Sequence, residues 1–289
     1  MPELPEVETT ARALRPALAG RTIAAVRGVD YAPLVAPLSP QAFASALAGR
    51  RISAVGRRGK YLLLSLDDGS VLAIHLRMSG RLFVAPAGTP PDRHTRAILD
   101  LDDGHSLRFR DPRKFGRMRL LSAPEHAHLD RSLGPEPLDP ATAAGWMERL
   151  RRHRRTRLKP LLMDQRFLAG LGNIYADEAL HRAGLHPLRP AGSLYRQEAG
   201  RLQQAIVEVL ADAIAAEGTT LSDGIYLFGE GEAGRFAERL RVYGRAGLPC
   251  AVCGHPIGRE RIGGRSSHFC PRCQPLAPTT NPEDEGENP

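Results

Sequence analysis

Four cysteines constrain this chain more than any other feature, because they lie near its C-terminus as two C-x-x-C pairs sixteen residues apart. They are Cys250, Cys253, Cys270 and Cys273. This spacing is typical of a tetrahedral zinc site and not of a disulfide scaffold. Four thiolates leave no open position on the metal, so the sequence predicts one structural zinc ion. Gly263 and Gly264 favour a hairpin between the pairs, with Arg265 at its tip.

Composition and charge narrow the class of protein. The chain has 289 residues, 42% hydrophobic and 25% charged, which excludes collagen-like, coiled-coil and wholly disordered proteins. A net charge of +8 predicts a polyanionic partner, with nucleic acid favoured over an anionic membrane because no basic amphipathic helix stands out. No apolar run reaches the ~18 residues of a membrane span, and the acidic N-terminus is not a signal peptide. We therefore expect a cytoplasmic protein with no membrane partner.

The first part of the chain predicts an antiparallel β-sandwich preceded by a helix. Apolar residues at helical spacing run from Val7 to Leu18. From residue 21 to about 121 the hydrophobic period becomes that of strands. Segments 64–72 and 99–107 have the same pattern, with apolar residues on either side of Asp-Asp-Gly. This pattern predicts a β-hairpin that turns at Asp-Gly in each segment. Short strands with tight turns favour a sandwich.

The second part predicts helices after a linker rich in Pro, Gly, Ser and acidic residues. Gly170 and Gly172 separate two short helices. Asn173 is predicted to be the N-cap of the second helix, whose first turns carry Asp177 and Glu178 at the positive end of the helix dipole. The residues from 218 to 234 show little periodicity, which predicts a mobile loop. The acidic C-terminal end predicts disorder.

The amino terminus carries a candidate nucleophile. Pro2 follows Met1, and we expect the initiator methionine to be removed because proline is small. A free α-amine titrates near about 7.7–8.0 and a Lys side chain near about 10.4, so the terminal amine supplies far more neutral nucleophile at pH 7. Attack of this amine on a sugar C1′ would give an iminium, an electron sink for elimination.

Six motifs, in order, resemble the bacterial formamidopyrimidine-DNA glycosylases. They are Pro-Glu-Leu-Pro-Glu-Val-Glu at 2–8, Gly-Lys-Tyr-Leu at 59–62, His-Leu-Arg-Met-Ser-Gly at 75–80, Asp-Pro-Arg-Lys-Phe-Gly at 111–116, Gly-Leu-Gly-Asn-Ile-Tyr-Ala at 170–176 and Arg-Ser-Ser-His-Phe-Cys-Pro-x-Cys-Gln at 265–274. The resemblance implies a monomeric, nucleoid-associated repair enzyme. It would remove oxidised purines such as 8-oxoguanine from double-stranded DNA and cleave abasic sites by β,δ-elimination.

The resemblance also implies an α+β fold of two domains. An N-terminal antiparallel β-sandwich with an N-terminal helix would be followed by a helix-two-turns-helix domain that carries a zinc β-hairpin finger. The implied limits are a catalytic domain at 1–125, a linker at 126–140, a helix-two-turns-helix domain at 141–225 with a lesion-covering loop at about 218–234, a zinc finger at 240–274 and a disordered acidic tail at 275–289.

Catalytic roles follow from the matched positions. The resemblance implies that Pro2 attacks C1′, that Glu3 is the general acid/base at the sugar, and that Glu6 supports this geometry. Lys60 would donate a proton in β-elimination and contact a phosphate. Arg265 would assist δ-elimination. By themselves, Lys60 and Arg265 are equally compatible with solvated surface cations.

DNA-contacting roles follow in the same way. The implied void-filling residues, which replace the extruded base, are Met78, Arg113 and Phe115. The implied DNA-binding residues are His75, His94, Arg113, Lys114, Arg155 and Asn173. Taken alone, Met78 and Phe115 would more often be core residues, and His75 a satisfied structural histidine. The turn segments and neighbouring arginines favour exposure of the first two.

Two alternatives remain open from the sequence. An endonuclease VIII-like enzyme acting on oxidised pyrimidines would share Pro2, Glu3 and Lys60, although the motifs at 75–80 and 111–116 favour the purine branch. A non-catalytic zinc-ribbon protein that binds nucleic acid would account for the charge and the cysteines. It would leave Pro2 and Glu3 unexplained.

Overall fold

The computed structural model describes residues 2–221, 224, 226–229 and 231–276, and the chain divides into two compact units. Unit 1 comprises Met1–Ser132 and Ala213–Ala237, and unit 2 comprises Leu133–Asp212 and Glu238–Pro289. The predicted disordered tail at 275–289 lies outside the described residues from position 277 onward. Residues 222, 223, 225 and 230 of the loop predicted at 218–234 also lie outside them.

Unit 1 is built from two antiparallel four-stranded sheets. The first has the order β1-β6-β7-β5 and the second β2-β3-β4-β8. The strands are β1 (Ile23–Arg27), β2 (Ile52–Arg58), β3 (Tyr61–Leu66), β4 (Val71–His75), β5 (Arg81–Pro86), β6 (Thr95–Leu101), β7 (His105–Arg110) and β8 (Arg117–Leu121). Leu64 and Ile74 of one sheet and Leu99 and Phe109 of the other belong to a single buried core. The β-sandwich prediction is confirmed.

Helix α1 (Leu4–Leu18) packs on this core through Val7, Leu14 and Leu18. The two Asp-Gly hairpins form as predicted, because β3 joins β4 and β6 joins β7 through turns in which Gly69 and Gly104 have positive φ. Side chains in β3 alternate between buried and half-buried, the pattern of a strand with one face on the core.

Two helices in unit 1 differ from the sequence prediction. Helix α2 (Pro40–Leu47) lies within the region predicted as strands, and Ser39 caps it by accepting the Ala42 N–H. Helix α3 (Ala123–Ser132) occupies much of the predicted linker at 126–140. Its start is stabilised by Glu125, whose carboxylate accepts both the N–H and the hydroxyl of Ser122. The polar composition of this segment alone did not predict the helix.

Unit 2 holds the remaining helices and a two-stranded hairpin. They are α4 (Trp146–Arg152), α5 (Leu158–Met163), α6 (Asn173–Ala183), α7 (Arg196–Ala215), β9 (Gly258–Ile262) and β10 (Arg265–Phe269). The last residues of α7, from Ala213, belong to unit 1. The pair of short helices α5 and α6, separated by turns, is confirmed. Gly263 and Gly264 both have positive φ and form the predicted turn, which places Arg265 beside the tip, paired with Ile262.

The start of α6 corrects one prediction. Gly172, not Asn173, is the N-cap, and Asn173 is the first helical residue. Its side chain instead donates from Nδ2 to the Ser266 carbonyl of β10 at 3.0 Å. Asp177 and Glu178, which were predicted in the first turns of this helix, follow its first turn and are buried. Among the described residues, no helix is long and apolar enough to cross a bilayer.

Candidate functional site

The N-terminal segment of unit 1 places Pro2 directly ahead of a helix cap. Pro2 is buried, and Glu3, the N-cap of α1, forms a capping box with Glu6. Glu6 Oε2 accepts the Glu3 N–H at 2.7 Å. Both carboxylates are almost wholly buried. The predicted nucleophile and the predicted acid/base therefore lie next to each other at the positive end of a helix dipole.

Glu6 also fixes a distant segment. Its Oε1 accepts the N–H of Thr219 at 2.8 Å, so one carboxylate holds both the start of α1 and the start of the segment predicted to cover the lesion. The Tyr226 hydroxyl lies 3.3 Å from the carbonyl of Glu6 and 3.2 Å from that of Glu217. Burial, followed by the Glu6 charge, raises the pKa of Tyr226, so this hydroxyl stays protonated and donates. Thr219 and Tyr226 lie in the loop predicted at about 218–234, but sequence reasoning did not predict their contacts with Glu6.

Lys60 is not a solvated cation. It follows Gly59 in the turn between β2 and β3, and only 6% of it is exposed. Its charge acts on His75, which pairs with Tyr61 across β3 and β4. Lys60 thus lies near the end of β4, where the motif of residues 75–80 begins.

His75 is buried as a neutral imidazole. Burial, followed by the charges of Arg77 and Lys60, lowers the pKa of His75 to about 3. Its Nδ1 accepts the N–H of Arg77 at 3.0 Å, which leaves the ring proton on Nε2. His75 can therefore donate one hydrogen bond to a phosphate but cannot neutralise it.

The predicted void-filling side chains reach solvent. Met78 is 37% exposed and Phe115 is 44% exposed, whereas most large apolar residues of unit 1 are buried. The Arg113 guanidinium lies over the Phe115 ring, with Cζ 4.8 Å from the ring centroid. The structure thus brings Arg113 and Phe115 together, and it excludes the interpretation of Met78 and Phe115 as core residues.

Two predicted DNA-binding residues of unit 1 have partners within the protein. Lys114 has a φ of 56°, places its Nζ 3.5 Å from a carboxylate oxygen of Asp30, and lies over the Tyr31 ring. His94 Nε2 accepts a hydrogen bond from Nε of Arg93 at 3.1 Å. Both side chains are nonetheless partly or largely exposed.

In unit 2 the predicted phosphate-binding residues lie on an arginine-rich segment and on the hairpin. Arg155 is exposed between α4 and α5, next to Arg154 and just after Arg151 and Arg152 at the end of α4. Arg265 is exposed at the start of β10. Asn173 links α6 to β10 through its hydrogen bond to Ser266.

Two buried acids of α6 attach the C-terminal segment. Asp177 accepts Lys159 Nζ at 2.5 Å and the His268 N–H at 3.0 Å, and the side chains of Lys159 and Asp177 are both 0% exposed. The Glu178 carboxylate accepts three consecutive backbone N–H groups at 241–243. A Lys and an Asp eighteen positions apart give no local pattern, so sequence reasoning missed this pair.

The four cysteines converge on one point. Their Sγ atoms all lie within 4.8 Å of one another, with Cys250 and Cys273 3.9 Å apart and Cys253 and Cys270 3.4 Å apart. Four sulfurs at about 2.3 Å from one tetrahedral zinc would be separated by about 3.8 Å. His181 Nε2 lies 3.6 Å from Cys250 Sγ, where it can orient that ligand. The donor set therefore fits one structural zinc ion.

Three family models match the chain. The formamidopyrimidine-DNA glycosylase N-terminal domain matches residues 1–118, the H2TH domain of the same glycosylases matches 133–224, and a zinc finger found in FPG and IleRS matches 247–276.

Full-length relatives and solved structures agree with these matches. The formamidopyrimidine-DNA glycosylase of Desulforamulus reducens is 48% identical, over 95% of this chain and 99% of its own. The crystal structure of the MutM (Fpg) protein from Thermus thermophilus superposes with a TM-score of 0.84 at 46% identity, covering 96% of this chain and 100% of that one. A complex of Lactococcus lactis Fpg with Fapy-dG-containing DNA gives a TM-score of 0.85 at 33% identity, covering 94% and 100%.

Proposed function

Since this chain belongs to the formamidopyrimidine-DNA glycosylase family and is a DNA glycosylase of base excision repair, we propose that it removes oxidised purines through a Schiff base on Pro2. The observation that carries this proposal is the position of Pro2, buried directly ahead of a helix cap made by two buried carboxylates. The substrate is double-stranded DNA that contains 8-oxoguanine, a formamidopyrimidine or an abasic site. The enzyme acts as a monomer on the nucleoid, in the cytoplasm.

The chemistry starts at the sugar of the damaged nucleotide. The Pro2 nitrogen forms a bond to C1′, the bond between C1′ and the base breaks, and the base leaves with a proton. Glu3 is the acid/base for the sugar, since it is the carboxylate next to Pro2 in the chain. The C1′–O4′ bond then breaks as O4′ takes a proton, which leaves an iminium between C1′ and the Pro2 nitrogen. This iminium withdraws electrons, so loss of a proton from C2′ expels the 3′ phosphate by β-elimination, and loss of a proton from C4′ then expels the 5′ phosphate by δ-elimination. Water finally releases the sugar remnant and regenerates the amine.

Lys60 and Arg265 assist these eliminations in the proposal. The near-complete burial of Lys60 suits a proton donor that acts on a substrate held against the protein, because a desolvated ammonium interacts strongly with a nearby phosphate. Arg265 is exposed beside the Gly-Gly turn of the hairpin, a position from which a guanidinium can contact the DNA backbone.

Extrusion of the damaged base leaves a gap in the duplex that the protein must fill. Met78 and Phe115 are the exposed apolar residues suited to this role, and Arg113 can hydrogen-bond the edge of the unpaired cytosine. The stacking of Arg113 on Phe115 supports a joint role for the two side chains.

The remaining contacts hold the DNA backbone. Arg155 and Lys114 supply charge, His75 supplies one neutral donor, and His94 and the start of α6 at Asn173 supply further hydrogen bonds. In this proposal residues 1–125 carry the chemistry, 141–225 grip the DNA and form part of the cover over the lesion, and 240–274 present Arg265.

Strand scission of two matched duplexes tests the substrate class. One duplex carries 8-oxoguanine opposite cytosine and the other carries thymine glycol opposite adenine. We expect single-turnover scission at least about tenfold faster on the first, since the motifs at 75–80 and 111–116 favour purines. Faster scission of the thymine glycol duplex would instead support the oxidised-pyrimidine branch.

A matched pair of variants tests the acid/base. Glu3→Gln should lower the rate of base release by about 10²–10⁴, the usual contribution of general acid/base catalysis. Glu8→Gln is the control, because Glu8 lies on the same helix and binds Arg12 and Arg57 instead. Equal rates for the two variants would contradict the role of Glu3.

A further inference from the structure

Asp111 connects the two segments that carry the proposed void-filling residues. The residue is 0% exposed. Its Oδ2 accepts the Gly116 N–H at 2.8 Å, and its Oδ1 accepts the Arg113 N–H at 3.2 Å. Oδ1 also accepts the hydroxyl of Ser79 at 2.6 Å. One buried carboxylate therefore closes the loop of residues 111–116 and binds it to the segment that contains Met78.

Both segments are closely packed at a glycine, Gly80 in one and Gly116 in the other. A Cβ on Gly80 would clash with the Leu76 carbonyl oxygen, which accepts the Gly80 N–H at 2.9 Å. A Cβ on Gly116 would clash with the ring of Phe109. Each segment therefore follows a tightly packed path, and the hydrogen bond from the Ser79 hydroxyl to Asp111 links the two segments.

The backbone of Asp111 is itself fixed to the sheet. Its N–H donates to the carbonyl of His94 at 2.9 Å, and its carbonyl accepts Nε of Arg96 at 3.0 Å. Arg96 in turn donates from Nη1 to Asp30 at 2.6 Å. The junction of the two segments is therefore anchored beside β6, and it is not a freely moving loop.

We propose that Ser79 and Asp111 are positioning residues that make the two void-filling segments enter DNA as one body. Binding of Arg113 to an unpaired cytosine would then help to seat Met78, so that excision depends on the base opposite the lesion. This inference rests on the proposed function, because it requires residues 78, 113 and 115 to enter the duplex. Neither Ser79 nor Asp111 contacts the reacting atoms in this proposal.

The test is Ser79→Ala, which removes one hydroxyl and leaves the hydrogen bonds from Asp111 to Arg113 and Gly116. Single-turnover excision is measured on duplexes with 8-oxoguanine opposite cytosine or opposite adenine. Opposite cytosine the rate should fall about tenfold, the size expected for one hydrogen bond to a buried carboxylate. Opposite adenine, where Arg113 has no cytosine to bind, the excision rate should stay within about twofold of that of the wild type. A role in stability alone would lower both rates together.

Two further variants complete the experiment. Ser70→Ala is the matched control, since Ser70 Oγ also donates to an aspartate, Asp68, at 2.6 Å in the same unit. It should leave both rates unchanged. Ser79→Thr keeps the hydroxyl and should restore excision opposite cytosine. The fluorescence of 2-aminopurine next to the lesion, which rises when the stack opens, should rise less with Ser79→Ala than with wild type.

Three results would count against the coupling. An unchanged ratio of the two rates in Ser79→Ala would overturn it, and so would an equal loss in Ser79→Ala and Ser70→Ala. A wild-type protein that releases 8-oxoguanine from neither duplex would overturn the proposed function as well, so that failure is distinguishable from failure of the coupling alone.

Discussion

The hydrogen bonds and protonation states of residues in the candidate site depend on their burial as much as on their amino-acid type. Pro2, Glu3 and Glu6 were identified from their motif, and the structure places them together. The bond from Glu6 to Thr219 joins residues 213 positions apart, so no local pattern could predict it. The neutral state of His75 is likewise a consequence of its surroundings, since a lone histidine in a strand does not reveal its own desolvation.

The low pKa of His75 predicts a specific pH dependence. A histidine with a folded pKa of about 3 and an unfolded pKa of about 6.5 is protonated more readily in the unfolded chain. The folded state therefore loses stability as the pH falls through this range, by about 2 kcal/mol between pH 7.5 and pH 5 from this residue alone. His75→Gln should lose correspondingly less stability over the same range.

The direct measurement is the NMR titration of the His75 ring. We expect its chemical shift to remain that of a neutral imidazole down to pH 5, with the proton on Nε2. A midpoint near 6.5, or an equal loss of stability in wild type and His75→Gln, would contradict the buried neutral state.

Secondary-structure elements were predictable where turn chemistry is local. Asp-Gly and Gly-Gly turns correctly located the hairpins of β3–β4, β6–β7 and β9–β10, because positive φ at a glycine is a local requirement. Helix α2 begins with a local signal, the N-cap Ser39 followed by Pro40, but the prediction from sequence missed it. The attachment of β10 to α6 through Asp177 is a tertiary contact, and it could not be predicted from either segment alone.

The buried pair of Lys159 and Asp177 gives a prediction about this attachment. Asp177→Ala should lower the free energy of unfolding by about 3–5 kcal/mol, because it leaves the Lys159 charge buried without its carboxylate. The same change should make the amide groups of β10 exchange faster with solvent, since the His268 N–H loses its acceptor. Denaturant unfolding and amide hydrogen exchange of β10 measure the two effects.

A surface pair provides the control for this prediction. Glu148 and Arg152 form an exposed ion pair on α4, and Glu148→Ala should change stability by no more than about 0.5 kcal/mol. A Lys159→Met and Asp177→Leu double variant should recover much of the loss from Asp177→Ala. A loss below about 1 kcal/mol in Asp177→Ala would show that the pair does not hold these elements together.

At the scale of the whole molecule, most of the prediction from sequence came from the net charge and from the order of the motifs along the chain. The net charge of +8 indicated nucleic acid, and six motifs in order implied a family that the full-length comparisons then established. The four cysteines predicted the zinc finger because metal spacing is a local property. What remained unpredictable was the set of long-range contacts at Asp111, Glu6 and Asp177, which depend on how distant segments pack.

The proposed chemistry depends on which atom of the protein becomes joined to DNA. The most direct measurement is borohydride trapping on a duplex with 8-oxoguanine opposite cytosine, followed by proteolysis and mass spectrometry of the cross-linked peptide. We predict a reduced linkage on the nitrogen of Pro2, and no adduct from protein that retains Met1. A linkage mapped to Lys60 or any other internal residue, or trapping that is undiminished when Met1 is retained, would contradict it.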